Sequence, residues 1–319
     1  MYTLILDPVL KDSIWGGVRL KEEFGFESES ERIAEAWVLS CHPDGRCHVK
    51  NGEFEGKTLA EVLSVRREWM GTHAKNFKRF PLLIKLIDSA EGTSIHVHPD
   101  DEYAAALPDR QGKLDLWYII DAKEGAEVTY GFQSELTQEQ LRRGIEGGSL
   151  CELLERFPVK AGDIFMLEPG TVHAIGNGVL LCEIQQSANT SFRLDDFGRV
   201  DGEESPRELN IPAALDVAIT SPPTTPPGSP EPPAELDSRV ETLIGECEHF
   251  KSVLMDISGR TRFFVGDKSF ASIVVIDGEA KLFTNTETLR VHKGDSLFIP
   301  AKMGRLTVSG NVKIIVTTI

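Results

Sequence analysis

The chain has 319 residues, enough for one large domain or two of ordinary size. Hydrophobic residues make up 40% of it and charged residues 26%, a composition typical of a globular protein with a sizeable core. The net charge of −16 argues against nucleic acid or an anionic membrane as a partner, because both need a basic surface. A small anionic substrate remains compatible with it, since a few local Lys and Arg residues can dominate a pocket.

The N-terminal segment has no basic stretch followed by a long apolar run, so no signal peptide is expected. No run approaches the length of a membrane-spanning helix, which is about 18 apolar residues. The cysteines are odd in number and lack CxxC spacing, which favours free thiols over disulfides or a cysteine-ligated zinc. We therefore expect a cytoplasmic protein. The cysteines are Cys41, Cys47, Cys151, Cys182 and Cys247.

Three segments have apolar residues at helical spacing, and they interrupt a chain that otherwise predicts strands. The first, LAEVLSVRREWMGTHA, begins at Leu59. The second, LTQEQLRRGIEGGSLCELLERF, has Thr137 as a plausible N-cap, with Gln140 completing a capping box. The third is SPRELNIPAALDVAI. The runs between them, such as RFPLLIKLID, LDLWYIID and GVLLCEIQQ, are strand-like, so we expect a mainly β fold with inserted helices.

A proline-rich segment, SPPTTPPGSPEPP, divides the chain, because proline at that density favours an extended connector. We expect an N-terminal catalytic domain over 1–220, a linker over 221–234 and a C-terminal β domain over 235–319. KAGDIFMLEPGTVHAI and KGDSLFIPAKMGRLTV share a Gly-Asp turn, an apolar strand, a Pro and a Gly, which indicates an internal repeat of a jelly-roll unit. Only the first copy carries a histidine, His173, where the second has Arg305, so chemistry is expected in the first.

The strongest chemical signal is SIHVHPDDEY, which begins at Ser94. On a strand, residues two apart face the same side, so His96 and His98 should point together into one barrel mouth. Asp115 lies on a later strand and His173 follows a Pro-Gly turn. Three histidines and a carboxylate form a nitrogen and oxygen donor set that suits zinc or another divalent transition metal.

Cations near these residues are candidates for an anionic substrate. Arg193 lies among polar residues after a strand and offers a planar fork for phosphate oxygens. Lys85 is a charge inside an apolar run, and Lys113 precedes Asp115 by two residues, which places both on one strand face. Ser94 is a further candidate for substrate binding.

A series of motifs in order resembles the short bacterial form of the type I mannose-6-phosphate isomerase family, from about Pro8 to Pro212. The motifs are SIWGG, EAWVLSCHPDG, PLLIKLID, HVHPDDEYA, the WYII strand, GDIFMLEPGTVHAIGNG, EIQQSANTSFRLDDFGR and SPRELN. The C-terminal barrel resembles the family in pattern only.

The resemblance implies a fold of two jelly-roll (cupin) barrels with a single metal site, and a zinc-dependent isomerase that interconverts mannose 6-phosphate and fructose 6-phosphate. It implies one Zn²⁺ per chain, although other divalent metals are compatible, and a monomer or weak homodimer. The implied metal ligands are His96, His98, Asp115 and His173. Arg193 is implied as an active-site cation and Lys113 as a pocket residue.

This sequence departs from the family pattern at three positions. His96 replaces the usual Gln and Asp115 the usual Glu, and both changes keep ligand chemistry. Asn189 replaces an Asp four residues before Arg193 and cannot take a proton.

Aldose–ketose isomerisation moves a proton between C2 and C1 through a cis-enediol, which needs a base near C2. The candidates for that base are Glu183, Lys113 and a histidine free of the metal. Asn189 favours a rival interpretation, a non-catalytic or altered-specificity protein that binds a sugar phosphate. A metal-dependent oxygenase is a second rival, since two histidines and a carboxylate also suit that chemistry. The ordered motifs argue against it.

Overall fold

The computed structural model describes residues 1–107, 111–200, 205–225, 227–228, 232–236 and 238–319. These residues form 21 β-strands, six α-helices and three 3₁₀ helices. The predicted mainly β, two-barrel fold is confirmed. The predicted linker lies partly outside the described residues. No helix in the described ranges is long and apolar enough to cross a membrane.

The strands of the first two-thirds of the chain are β1 Leu4–Asp7, β2 Val9–Lys11, β3 Glu35–His42, β4 Gly45–Arg46, β5 His48–Val49, β6 Leu82–Ser89, β7 Ile95–Val97, β8 Asp115–Ala122, β9 Glu127–Phe132, β10 Leu154–Pro158, β11 Ile164–Leu167, β12 His173–Ile175, β13 Val179–Gln186 and β14 Phe192–Asp195. Those after the linker are β15 Ala234–Leu236, β16 Arg239–Glu246, β17 Lys251–Val265, β18 Ala271–Phe283, β19 Thr288–His292, β20 Ser296–Ile299 and β21 Gly304–Thr318.

The α-helices are α1 Arg19–Glu22, α2 Leu59–Val65, α3 Asp101–Ala105, α4 Gln138–Glu146, α5 Leu150–Leu153 and α6 Ile211–Val217, and the 3₁₀ helices are Gly52–Phe54, Arg67–Met70 and Thr72–Asn76. Each predicted helical segment is shorter than expected. The first continues beyond α2 as two 3₁₀ turns separated by Gly71, whose φ of 88° no α-helix allows. The second is broken at Gly148, with φ of 70°. Its predicted capping box of Thr137 and Gln140 is present.

The strands build three sheets in layers. A five-stranded sheet, ordered β10-β9-β12-β7-β14, and a seven-stranded sheet, ordered β11-β8-β13-β6-β3-β2 with β4 on β3, enclose the core of the first barrel. The third sheet has nine strands, ordered β15-β16-β17-β21-β18-β20-β1-β5 with β19 on β18. The largest apolar core lies between this sheet and the outer face of the seven-stranded sheet, which joins the two barrels into one packed unit.

The first strand of the chain belongs to the C-terminal sheet, because Leu4 on β1 pairs with Phe298 on β20. The nine-stranded sheet therefore includes a strand from the start of the chain. The division into 1–220, 221–234 and 235–319 stays a prediction. The predicted internal repeat of the jelly-roll unit agrees with two turns of similar geometry, one in each barrel. Gly162 and Gly294 have φ of 94° and 98°. Asp163 and Asp295 each accept a bond from the backbone N–H three residues earlier, at 2.9 and 2.8 Å.

Because side chains alternate along the central strands, apolar residues face the C-terminal sheet and charged residues face the interior of the first barrel. Leu116, Cys182 and Ile184 face the C-terminal sheet and join the core between the barrels. Lys85 and Glu183 lie opposite each other on β6 and β13 and are both buried. The charge that the sequence places inside an apolar run therefore belongs to the interior of the first barrel.

Candidate metal and substrate site

Three histidines converge inside the first barrel. His96 lies on β7, His98 follows the end of that strand, and His173 begins β12 directly opposite His96. Their ring centroids are 5.0 Å apart for His96 and His98, 4.3 Å for His96 and His173, and 4.8 Å for His98 and His173. One ligand nitrogen from each lies within 4.8 Å of the others. The alternation expected for His96 and His98 is therefore observed.

Each histidine ring is oriented by a backbone carbonyl. Nδ1 of His96, His98 and His173 lies 2.8 Å from the carbonyl oxygens of Ser94, Thr190 and Thr171, respectively. A carbonyl only accepts, so each Nδ1 carries the proton and each Nε2 keeps its lone pair. Among the described residues, Nε2 of His173 has no hydrogen-bond partner although it is buried.

Burial keeps these imidazoles neutral. It lowers the pKa values of His96 and His98 well below the usual range and that of His173 to about 3. Neutral imidazoles with fixed rings and converging Nε2 atoms are the form that binds a divalent metal. The three histidines therefore fit a metal ion.

Asp115 lies beside this cluster, at the start of β8, and is fully buried. Its Oδ2 is 3.2 Å from Nε2 of His98 and accepts a bond from Nζ of Lys113, which is also 3.0 Å from that Nε2. Its Oδ1 has no partner among the described residues. The group whose ligand atoms all lie within 4.8 Å of one another contains the histidines alone, so Asp115 as a ligand stays a prediction.

A chain of alternating charges leads away from the metal cluster. Glu183 lies 3.0 Å from Nζ of Lys85 and 3.7 Å from Nζ of Lys113, and it accepts a 3.0 Å bond from the Trp117 indole. Lys85 is also 3.7 Å from Glu35. Since β6 and β8 flank β13, the sheet register itself brings these side chains together.

The buried acidic and basic side chains stabilise each other's charged forms. Burial by itself would raise the pKa of Glu183, but Lys113 and Lys85 outweigh it, so the pKa lies below the ordinary value. Burial likewise opposes the charged form of Lys85, yet Glu183 and Glu35 raise its pKa above the ordinary value. Glu183 is therefore an anion and Lys85 a cation across the neutral range.

Arg193 is a further cation close to the histidines. It lies on β14 opposite His96, and among the described residues its guanidinium donates one hydrogen bond, 2.6 Å long, to the Glu208 carbonyl. Its buried Nε has no partner among the described residues. By contrast, Arg199 and Arg207 both bind the carboxylate of Asp196, with Nε of Arg207 at 2.6 Å.

These residues border one cavity of about 370 Å³, a size suited to a small metabolite. Of the predicted site residues, seven line it and two, Asp115 and His173, are buried next to the lining residue His98. The seven are Lys85, Ser94, His96, His98, Lys113, Glu183 and Arg193.

Several lining residues were not predicted. Lys11, Asp12, Glu35, Trp37, Asp44 and Arg207 also border the cavity. Four of them lie in motifs shared with the family, since Glu35, Trp37 and Asp44 belong to EAWVLSCHPDG and Arg207 belongs to SPRELN. Asn189, the departure that removes a carboxylate, donates a 2.8 Å bond to Asp44. A carboxylate is therefore present at this corner of the cavity, supplied by a different residue.

Comparison with known proteins gives a consistent result. The family described as "Phosphomannose isomerase type I, catalytic domain" matches residues 3–129, and "Mannose-6-phosphate isomerase, cupin domain" matches residues 240–319. The chain is 36% identical to mannose-6-phosphate isomerase ManA of Bacillus subtilis, over 98% of both chains. It is 35% identical to mannose-6-phosphate isomerase of Streptococcus mutans, over 98% of this chain and 96% of that one.

Solved structures agree with the fold. The crystal structure of mannose 6-phosphate isomerase from Bacillus subtilis superposes with a TM-score of 0.92 at 36% identity, over the full length of both chains. A phosphomannose isomerase variant from Salmonella typhimurium superposes at 0.79 with 17% identity, over 99% and 98% of the two chains, which shows a shared fold alone.

Proposed function

Because the chain belongs to the type I mannose-6-phosphate isomerase family, we propose that its buried three-histidine cavity interconverts mannose 6-phosphate and fructose 6-phosphate. The observation that carries this proposal is the cluster of three buried histidines, two of which line the cavity that Arg193 also borders. The histidine cluster supplies a site for a Lewis acid, and Arg193 supplies a cation for an anionic sugar. An oxygenase has no evident use for Lys85, Lys113 and Arg193.

His96, His98 and His173 would hold the metal, with Asp115 as a fourth ligand. Zinc suits this mixed nitrogen and oxygen set, at one ion per chain, and other divalent metals remain compatible. When bound, such a metal supplies Lewis-acid polarisation of the sugar carbonyl. The carbonyl acceptors at Ser94, Thr171 and Thr190 fix the ring orientations that this binding needs.

The cations at the cavity would bind and orient the substrate. Arg193 brings a guanidinium whose Nε has no partner in the described part of the chain, and Arg207 brings one that Asp196 holds in place. Both are suited to phosphate or to developing oxyanion charge. Ser94 and Lys85 line the same cavity and would contact the sugar phosphate beside them.

Glu183 and Lys113 would handle the proton that moves between C2 and C1. Glu183 is ionised, as a base must be, and lies 3.7 Å from Nζ of Lys113. Lys113 in turn bonds Asp115 and His98, so an ion pair followed by hydrogen bonds connects the proposed base with the proposed metal ligands. Full turnover in a Glu183→Gln protein would remove Glu183 from this role and leave Lys113 or a histidine free of the metal.

We place the enzyme in the cytoplasm, a proposal supported by its five free cysteines. A coupled assay of purified protein with added zinc, manganese, cobalt or iron tests the function. We expect saturable formation of fructose 6-phosphate from mannose 6-phosphate, and none from unphosphorylated mannose. Saturable binding of mannose 6-phosphate without turnover under any metal would instead favour the non-catalytic alternative.

A further inference from the structure

A β-bulge interrupts the strand that carries two of the cavity residues. On β3, Trp37 pairs with Lys85 of β6, whereas Leu39 pairs with Ile84, so Val38 is an extra residue in the ladder. Such a bulge removes the regular partner of a backbone group and changes which side chains face each side of the sheet. Val38 and Leu39 accordingly both pack into the core between the barrels, although they are adjacent in sequence.

The second barrel satisfies the backbone at this bulge. The hydroxyl of Ser296, on β20, donates a 2.6 Å hydrogen bond to the carbonyl of Val38. Ser296 is 1% exposed and Val38 is fully buried. A buried carbonyl without a partner is costly, so this hydroxyl favours the bulged form of β3 over a regular strand. The neighbouring carbonyl, that of Trp37, is satisfied within the first barrel by the Cys47 thiol at 3.0 Å.

The bulge lies next to side chains at the cavity. The Trp37 indole donates a 2.6 Å bond to Glu35, and Nζ of Lys85 lies 5.4 Å from the centre of the Trp37 ring. Glu35 is in turn 3.7 Å from Nζ of Lys85, which pairs with Glu183. A regular β3 would shift the register of Trp37 and Glu35 against β6. The geometry of Lys85 therefore depends on the bulge.

We propose that Ser296 is a positioning residue, through which the second barrel fixes the bulge at Val38 and so aligns Trp37 and Glu35 with Lys85 at the substrate cavity. The expected effect of Ser296 on activity rests on the proposed isomerase function. Its expected effect on the structure of β3 does not. This role gives the second barrel a part in shaping the site although its own core is filled by apolar side chains.

Three variants test this role: Ser296→Ala, Ser296→Cys and, as a matched control, Ser252→Ala. Ser252 is also a fully buried serine of the nine-stranded sheet, but its hydroxyl bonds Thr317 of the same sheet, at 2.9 Å, rather than a group of the first barrel. Hydrogen exchange of the peptide 35–42 is measured in each. Where the wild type turns over, kcat and KM for mannose 6-phosphate are measured with metal saturating.

We expect faster exchange of peptide 35–42 in Ser296→Ala and a fall in kcat/KM of about 10-fold, because small displacements of positioning groups are costly. Ser296→Cys keeps a weak donor of similar size and should recover part of both effects, and it also serves if the alanine variant does not fold. Ser252→Ala should change neither. Equal exchange and equal kcat/KM in the two alanine variants would overturn the proposal. A wild-type protein without turnover would refute the proposed function, whereas the exchange result would still decide the role of Ser296.

Discussion

At the scale of single residues, the three histidines make the sharpest prediction. His173 is buried and its Nε2 has no partner among the described residues, so its removal deletes a ligand without breaking another contact of that atom. We expect His173→Ala to lower metal affinity by at least about 100-fold. Metal content after dialysis measures this. His292→Ala, at a side chain 59% exposed, is the control and should retain the metal of the wild type. Equal metal content in both variants would contradict the assignment.

For Arg193 we expect a change in kinetics rather than in metal binding, because its proposed role depends on geometry as well as charge. Lysine keeps the charge but loses the planar fork. We expect Arg193→Lys to lower kcat/KM for mannose 6-phosphate by about 100-fold while metal content stays unchanged. Steady-state kinetics checks this, with Arg143→Lys on the exposed face of α4 as the control. An unimpaired Arg193→Lys enzyme would show that positive charge alone is sufficient there.

Asp196 links stability to the cavity. Burial would raise its pKa, but the bonds from Arg207 and Arg199 outweigh burial and hold the pKa below the ordinary value. The carboxylate therefore stabilises the fold fully above about pH 4, the usual Asp value, and less as the pH falls through its lowered pKa. We expect Asp196→Asn to lower the free energy of unfolding by about 1–3 kcal/mol at pH 7.

Denaturant unfolding of the wild type and Asp196→Asn at a series of pH values measures this difference. It should shrink as the pH falls below about 4. KM should also rise at pH 7, because Arg207 loses the group that orients it. A stability difference that is constant from pH 7 down to pH 3 would contradict the lowered pKa.

The sequence identified site residues wherever local pattern places them. His96 and His98 follow from strand alternation, and Lys85 from a charge inside an apolar strand. Asp44 and Arg207 lie in the motifs EAWVLSCHPDG and SPRELN, but only long-range packing shows that their side chains reach the cavity. The same holds for the Asn189–Asp44 hydrogen bond, whose partners are 145 positions apart.

At the scale of elements, the helix caps give a prediction independent of chemistry. Thr137 and Gln140 form a capping box at α4, as predicted, and Thr58 and Glu61 form an equivalent one at α2. We expect Thr137→Ala and Thr58→Ala each to lower the free energy of unfolding by about 1 kcal/mol. Denaturant unfolding measures it, and kcat should not change, since neither cap borders the cavity. A loss of activity in either variant would show that its helix contributes to the site.

The presence of strands was more predictable than their irregularities. Apolar alternation and turn residues indicated most strands of both barrels, and the glycines at 162 and 294 indicated equivalent turns. The bulge at Val38 was not predictable, because it depends on Ser296, which is 258 positions away. The helices were predicted too long, since spacing alone does not show where a glycine such as Gly71 ends the α conformation.

At the scale of the whole molecule, the layers explain how an acidic chain can hold an anionic substrate. The net charge is −16, yet Lys11, Lys85, Lys113, Arg193 and Arg207 all border one cavity. Lys85, Lys113 and Arg207 pair with buried carboxylates, whereas the Lys11 ammonium and the Arg193 guanidinium donate to backbone carbonyls. The sequence could predict both barrels, but not that the first strand pairs within the C-terminal sheet. The domain boundaries and the linker over 221–234 stay predictions. A monomer or weak homodimer stays a prediction.

The central claim is that the three histidines hold one divalent metal on which isomerisation depends. The most direct measurement is a titration of chelator-treated protein with zinc, following the rate of fructose 6-phosphate formation from mannose 6-phosphate at each step. We predict no turnover without metal, and a rate that rises linearly with added zinc and levels off at one equivalent of zinc per chain. Undiminished turnover in the metal-free protein, confirmed by elemental analysis, would contradict it.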